Sequence, residues 1–344
     1  LPSTFTRKEL LRLLTALAAG SALFAFMLWY IGFEKISSAM LGASPLWVGA
    51  SAAVSILFYL LRAYRWKIIL LPVRNPTSLS NLFWITGVGY LVNTIIPLRI
   101  GEITRAILVD KTEGTSFSGG LSSIAVERLL DLIAVASLGA LVLYLAPQTL
   151  AIPEIVMGSF KALAALIILL IIILFLAVKF EGEIQQILHR LPLKVYWKDK
   201  IVGFTGSLIE AARSIVSKPS LMASSLVLSW ALWLFQFWAY YFLFKAFNYD
   251  VSIFVIFIGY IFLMATFILP AAPGYVGSFE AFWVLIFLAL GLTAPELLLA
   301  MALTAHLLMI VIIGCLGSLG ASILGVSLAE AIKVKTSRKM RTES

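Results

Sequence analysis

The sequence has little charge and almost no metal-binding or redox chemistry. Its 344 residues include one cysteine and two histidines, and Asp, Glu, Lys and Arg together make up 12%, against ~25% in soluble globular domains. With Cys315 alone, no internal disulfide can form. His189 and His306 are far apart, and no HExxH, CxxC or His-rich tract occurs. A zinc or haem site is therefore not expected, and no cofactor is. No GxxxxGK[ST] loop is present to bind a nucleotide. The shortage of charge goes with 61% hydrophobic residues and a mean hydropathy of +1.02. At ~150 residues per domain the length alone suggests two soluble domains. A water-soluble chain of this size could not hide so much apolar surface, so its solvent is lipid.

What charge there is leans positive: 26 Lys and Arg against 17 Asp and Glu, a net +9. In a chain with a hydrophobic majority this predicts a basic cytoplasmic membrane face, not a nucleic-acid partner. Six apolar stretches, about 10–31, 45–62, 120–146, 160–179, 221–245 and 297–326, are long enough to cross a bilayer as helices. Two further regions, 79–113 and 252–291, are apolar but broken, at Pro97-Leu98-Arg99-Ile100-Gly101-Glu102 and at Pro270-Ala271-Ala272-Pro273-Gly274-Tyr275-Val276-Gly277. Read as re-entrant hairpins, they put both termini in the cytoplasm. Arg62, Arg65, Arg99 and Arg105 then count among the cytoplasmic charges, Arg128 lies in a span, and only Lys35, Lys161 and Lys245 remain outside. The expected fold is an all-α integral membrane protein with about six full spans and two broken hairpins in an inverted-repeat arrangement. Residues 1–328 form one polytopic domain, with an amphipathic cytoplasmic loop over 179–218, and 329–344 form a basic tail.

The breaks match in type and differ in sense. Pro97-x3-Gly101 with Glu102 parallels Pro273-x3-Gly277 with Glu280, and the charge-derived topology brings one in from the cytoplasm and the other from outside. Opposed units of this kind are a signature of inverted-repeat transporters. Backbone groups freed by proline and glycine must line protein or a wet cavity. A helix restarting there points its N-terminal N–H groups at any bound anion.

The ordered motifs Asn93-Thr-Ile-Ile-Pro97-Leu-Arg99-Ile-Gly101-Glu102-Ile-Thr-Arg105, Val126-Glu127-Arg128-Leu-Leu-Asp131 and Pro273-Gly274-Tyr-Val-Gly277-Ser-Phe-Glu280 resemble the lysylphosphatidylglycerol synthase transmembrane-region family, also called the flippase-like or UPF0104 family. The likeness covers essentially the whole chain. It implies movement of lipids or lipid-linked groups between leaflets. Aminoacyl transfer belongs to a separate soluble domain in that family, which this sequence is not expected to carry. One departure stands out: the family's usual Pro-Gly-Gly is Pro273-Gly274-Tyr275 here, a ring able to narrow a cavity or stack on a headgroup.

Charged groups at membrane depth are functional candidates by default. Asn93, Arg99, Glu102, Arg105, Arg128, Tyr275 and Glu280 are the expected headgroup-binding residues. Pro97, Gly101, Glu127, Asp131, Pro270, Pro273, Gly274 and Gly277 are the expected structural or hinge positions. Glu127, Arg128 and Asp131 can form one ion cluster, either a clamp between helices or a headgroup contact. Glu280 is either a proton-coupling group or a cap on its broken helix. His306 is expected to bond between helices, and Trp230, Trp233, Trp238, Tyr240 and Tyr241 to pack the bundle and form an outer aromatic belt. The leading expectation is a translocase of the plasma membrane for an anionic phospholipid or polyprenyl-phosphate headgroup, working by alternating access and not an enzyme. A membrane enzyme acting on a lipid-phosphate, and a membrane partner of a separate glycosyltransferase or lipid synthase, are the alternatives.

Overall fold

The structure, a computed structural model, describes residues 7–73, 78–96, 99–147, 180–190, 219–267 and 273–326, with isolated positions between 154 and 209. The described residues are helical and contain no strand. In chain order the helices are α1 (Arg7–Ile31), α2 (Phe33–Leu41), α3 (Pro45–Leu70), α4 (Leu79–Ile95), α5 (Ile100–Glu113), α6 (Phe117–Leu145), α7 (Glu181–Arg190), α8 (Pro219–Ala246), α9 (Ile253–Thr266), α10 (Ser278–Ala289) and α11 (Pro295–Ile323). A 3₁₀ turn at Pro273–Tyr275 lies between α9 and α10. Of these, α3, α6, α8 and α11 are long and apolar enough to cross a membrane by themselves. The span expected at 160–179, most of the 179–218 loop and the 329–344 tail lie outside the described residues, as do Pro97 and Pro270.

Local chemistry sets the helix ends. Ser78 and Ser116 cap α4 and α6 by accepting from the backbone N–H of Asn81 and Gly119, which satisfies amides with no partner in the first turn. Prolines at the starts of α3 and α11 use the one helical site where a missing N–H costs nothing. Helix α3 runs to Leu70 instead of ending near residue 62, and this extension carries Arg62 and Arg65 into the bundle. Both are buried, so counting them as cytoplasmic loop charges is incorrect; Arg105, also buried, must be removed from that count too.

The two broken regions are helical hairpins, α4–α5 and α9–α10, and they run inward from opposite ends of α3. The open end of the first packs with Trp66 and Leu70 at the C-terminal end of α3, where Asn81 Nδ2 donates to Glu113 Oε1 (2.8 Å) and ties α4 to α5. The second packs around Phe244 and Phe247, near Val48 at the other end of α3, where Ser44 N–H donates to the Ala246 carbonyl (2.8 Å). Their tips meet in the middle. Arg99 Nη2 donates to the carbonyl of Phe267 (3.1 Å), and Gly274 lies against Thr94.

Lipid tails are as apolar as leucine, so helices in a bilayer associate through close packing. Glycines permit that closeness at two seams. A Cβ on Gly320 of α11 would stand 2.8 Å from the carbonyl oxygen of Trp84 on α4. A Cβ on Gly101 of α5 would collide with the carbonyl oxygen of Gly89 on α4. The same contact lets Gly101 N–H donate to Asn93 Oδ1 (2.7 Å). Gly101→Ala should therefore destabilise the protein by about 1–3 kcal/mol through overpacking. Gly314→Ala, on α11 with open space at its Cβ position, should be neutral or gain up to about 1 kcal/mol from helix propensity. Thermal unfolding of the purified protein checks the pair.

Candidate functional site

Where the hairpin tips meet, the bundle encloses a cavity of about 370 Å³. Its charged end is formed by Arg62, Arg99, Glu102, Arg105, Arg128 and Asp131, and apolar walls come from Met264 and Phe267 of the second hairpin and from Leu308, Met309 and Ile312 of α11. Aromatic and neutral polar groups, among them Tyr59, Tyr90, Asn93, Trp233 and Gln236, lie between. One end of the cavity suits a polar anionic group and the other suits hydrocarbon.

Beneath the charged end lies a buried ion cluster. Glu127 and Asp131 are one turn apart on α6, so both carboxylates lie on the same face. Arg62 and Arg65 face them from α3 at a three-residue spacing. Arg62 Nη2 reaches Glu127 Oε1 at 2.9 Å and Asp131 Oδ2 at 3.0 Å, and Arg65 Nη1 reaches Asp131 Oδ1 at 2.6 Å. Arg105 of α5 donates to Glu127 Oε2 at 2.8 Å, and Arg128 to Glu127 Oε1 at 2.6 Å. Ser229 and Trp233 of α8 complete the shell: Arg65 donates to Ser229 Oγ and Trp233 Nε1 donates to Asp131 Oδ1. Rings spread the remaining positive charge, with the Arg105 guanidinium 4.1 Å from the Trp66 ring centroid and that of Arg62 5.3 Å from Tyr90. Four helices are joined here, so the cluster is a clamp.

The clamp carries an imbalance of charge. Arg62, Arg65 and Arg105 pair with Glu127 or Asp131, Arg128 pairs with both and with Glu102, and the more exposed Arg99 pairs with Glu102. Five guanidiniums against three carboxylates leave two positive charges at the cavity end. The arginines with access to the cavity are Arg99 and Arg128, whose side chains are 44% and 28% exposed. Glu102 Oε1 lies between them, 3.8 Å from Arg99 Nη1 and 3.4 Å from Arg128 Nε.

The expected binding residues therefore divide. Asn93, Arg99, Glu102, Arg128 and Tyr275 line the cavity. Arg105 touches it but is held by Glu127 and lies 2% exposed. Glu280 is buried away from it; its Oε2 accepts from Gly277 N–H (2.9 Å) at the start of α10 and its Oε1 meets His306 Nδ1 at 2.5 Å. Of the hinge positions, Gly101 packs on α4, while Pro273, Gly274 and Gly277 form the second tip. Tyr275 there has φ 60°, a left-handed backbone that costs a non-glycine residue ~1–2 kcal/mol. The ring faces the cavity and meets Phe267 edge-on at 4.8 Å.

Sequence reasoning missed Arg62, Arg65, Tyr59 and Tyr90 as site residues. The signal was two arginines three apart in an apolar run, able to face two acids four apart in another. Trp233 and Tyr240, expected to pack the bundle and form an outer belt, both line the cavity, and Trp233 bonds the clamp. Trp238 is exposed, as an outer belt requires.

A UPF0104 membrane protein of Methanothermobacter thermautotrophicus is 22% identical over 337 residues, covering 92% of this chain and 96% of the relative. A second from the same organism is 26% identical over 280 residues, 78% of this chain and 80% of that one. A glycosyltransferase, AglD, of Haloferax volcanii is 33% identical over 134 residues, but these are 38% of this chain and only 20% of AglD. No solved structure matches. The family model described as the lysylphosphatidylglycerol synthase TM region matches residues 13–317, and the chain belongs to that membrane-protein family.

Proposed function

We propose that this protein is a lipid translocase that takes the anionic headgroup of a phospholipid or lipid-linked phosphate into the central cavity and passes it between leaflets. One observation carries the reading: two positive charges in excess stand at one end of a cavity whose other end is lined by apolar side chains. An uncompensated charge inside a protein in lipid costs several kcal/mol unless an anion or water meets it. A phosphate supplies that charge and accepts the forked donors of Arg99 and Arg128. Acyl or prenyl tails would stay in the bilayer beyond the apolar walls.

Alternating access follows from the hairpins. Among the described residues, their tips are joined by a hydrogen bond from Arg99 to the Phe267 carbonyl. A phosphate drawing Arg99 toward Arg128 and Glu102 would compete with that bond and free the tips to move apart. In this reading the plasma membrane is the site of action, both termini are cytoplasmic, and the membrane potential or the lipid gradient supplies the driving force. The lipid leaves chemically unchanged, so the protein is not an enzyme. The partial match to a named glycosyltransferase favours one further role, delivery of a lipid carrier to a separate glycosyltransferase, which co-purification from native membranes tests.

Scrambling of labelled anionic lipid in proteoliposomes tests the proposal. Arg99→Ala should slow it by roughly 10- to 100-fold, the value of one hydrogen bond to a charged group, while stability changes by no more than about 0.5 kcal/mol, as for an exposed side chain. Equal rates would remove the site. Glu127→Gln should behave differently, destabilising the fold by about 3–5 kcal/mol because buried arginines lose their counter-ion; thermal unfolding measures it.

A further inference from the structure

A second polar site lies behind the tip of the α9–α10 hairpin, outside the cavity and outside the arginine clamp. His306 of α11 is 4% exposed. Its Nδ1 is 2.5 Å from Glu280 Oε1, and its Nε2 is 2.6 Å from the carbonyl oxygen of Gly274. The other Glu280 oxygen accepts from Gly277 N–H. The pair thus connects α11, the first turn of α10 and the strained tip, where Gly274, Tyr275 and Gly277 all have positive φ.

Counting protons makes this arrangement informative. A carbonyl oxygen can only accept, so Nε2 must carry hydrogen. The 2.5 Å contact then needs a second proton between Nδ1 and Oε1, carried either by the imidazolium or by the carboxylic acid. Without it, a neutral imidazole has one N–H for two acceptors. If Nε2 keeps the hydrogen, the Nδ1 lone pair faces a carboxylate; if Nδ1 takes it, the Nε2 lone pair faces the Gly274 carbonyl. One of the two bonds is lost in either case.

We propose that Glu280 and His306 form a proton-binding site that latches the second hairpin tip to α11 when occupied and releases it when empty. Among the described residues, no other ionisable side chain bonds to the pair. Helix α10 has no other ionisable group; α4 and α9 have only the phenols of Tyr90 and Tyr260. Helix α11 has Glu296 ten residues before His306, about 15 Å along the axis, and the exposed Cys315. The charges of α1 (Arg7, Lys8, Glu9 and Arg12) fall in its first two turns, and Glu34 and Lys35 of α2 are exposed. On α8, Lys245 pairs with Asp250, and Arg62 and Arg65 of α3 are held by the clamp. Beside the latch stand the Tyr275 phenol and, across the tip, Arg99 with Glu102. Tyr275 and Ala305, the chain neighbours of Gly274 and His306, line the cavity.

The latch and the headgroup site share the same tip: one side holds Arg99 through the Phe267 carbonyl, and the other is held by His306. Proton release therefore loosens the element that closes the cavity, which makes a proton the coupling ion. That use rests on the transport reading above; the latch itself does not.

The test reads the proton directly. His189→Gln leaves His306 as the sole histidine of the 344 residues, and ¹⁵N-histidine NMR of this chain in phosphatidylglycerol nanodiscs reports both ring nitrogens. As the pH is raised and the shared proton leaves, the ¹⁵N signals of Nε2 and Nδ1 should shift in a single step, whether the imidazolium or the carboxylic acid gives it up. Hydrogen–deuterium exchange at 273–280, corrected for intrinsic rates, should accelerate by on the order of tenfold through the same step, as one charge-assisted hydrogen bond is lost. Glu280→Gln should abolish the step and keep the tip protected, because the amide donates to Nδ1 without a titrating proton. His306→Phe should give fast exchange at every pH. A histidine signal that stays constant as the pH is raised, or tip exchange that ignores it, overturns the proposal; the parent titration decides even where a variant fails to fold. Scrambling that persists while the histidine stays silent sinks only the latch, and a titrating latch in a protein that moves no lipid sinks only the transport reading.

Discussion

The structure depends on keeping four arginines charged inside an apolar bundle. Arg62 and Arg65 from α3, Arg105 from α5 and Arg128 from α6 converge on Glu127 and Asp131. Such burial is made tolerable by close geometry and by bonds to the charged groups: Ser229 accepts from Arg65, Trp233 donates to Asp131 and the Trp66 ring faces Arg105. Among the described residues, Arg65 Nε and Nη2 and Arg105 Nε have no hydrogen-bond partner. The cluster holds α3, α5 and α6 to α8 and places the first hairpin beside the cavity. The carboxylates are too few for the arginines they hold, so the clamp is also the source of the positive field in the cavity. Stability and ligand attraction come from the same atoms.

The hairpins convert this fixed charge into a site. Each has a tip with a non-glycine residue in left-handed conformation, Arg99 in one and Tyr275 in the other, and both side chains line the cavity. Strain of this kind persists only where surrounding contacts over-determine it. At the first tip those contacts are the Gly101–Asn93 bond and the close approach of α4 and α5. At the second they are the Gly277–Glu280 and Gly274–His306 bonds. The first tip is locked by close backbone packing as well as a polar bond and the second by polar bonds, so the second is the better placed to move.

Much of this was legible in the sequence. Apolar length marked α1, α3, α6, α8 and α11, and the proline–glycine breaks marked both hairpins at the positions where they occur. The acids of α6 announced a cluster through their one-turn spacing. The partners of that cluster were not legible. Arg62 and Arg65 sit at the end of an apolar run, and a rule that assigns arginines there to the cytoplasm hides arginines that a helix draws inward. Glu280 and His306 are 26 residues apart in sequence, and only the fold shows that one imidazole spans two acceptors. Periodicity reports which face of a helix is apolar; it does not report which faces meet.

The central claim is that the excess positive charge at the hairpin tips receives the phosphate of a lipid. Cryo-electron microscopy of the protein in nanodiscs of anionic phospholipid tests this most directly. The account predicts headgroup density within hydrogen-bonding distance of Arg99 and Arg128, with tails leaving along the apolar wall of α11. Density for acyl chains against those arginines, or a cavity that stays closed to lipid at saturating concentrations, would contradict it.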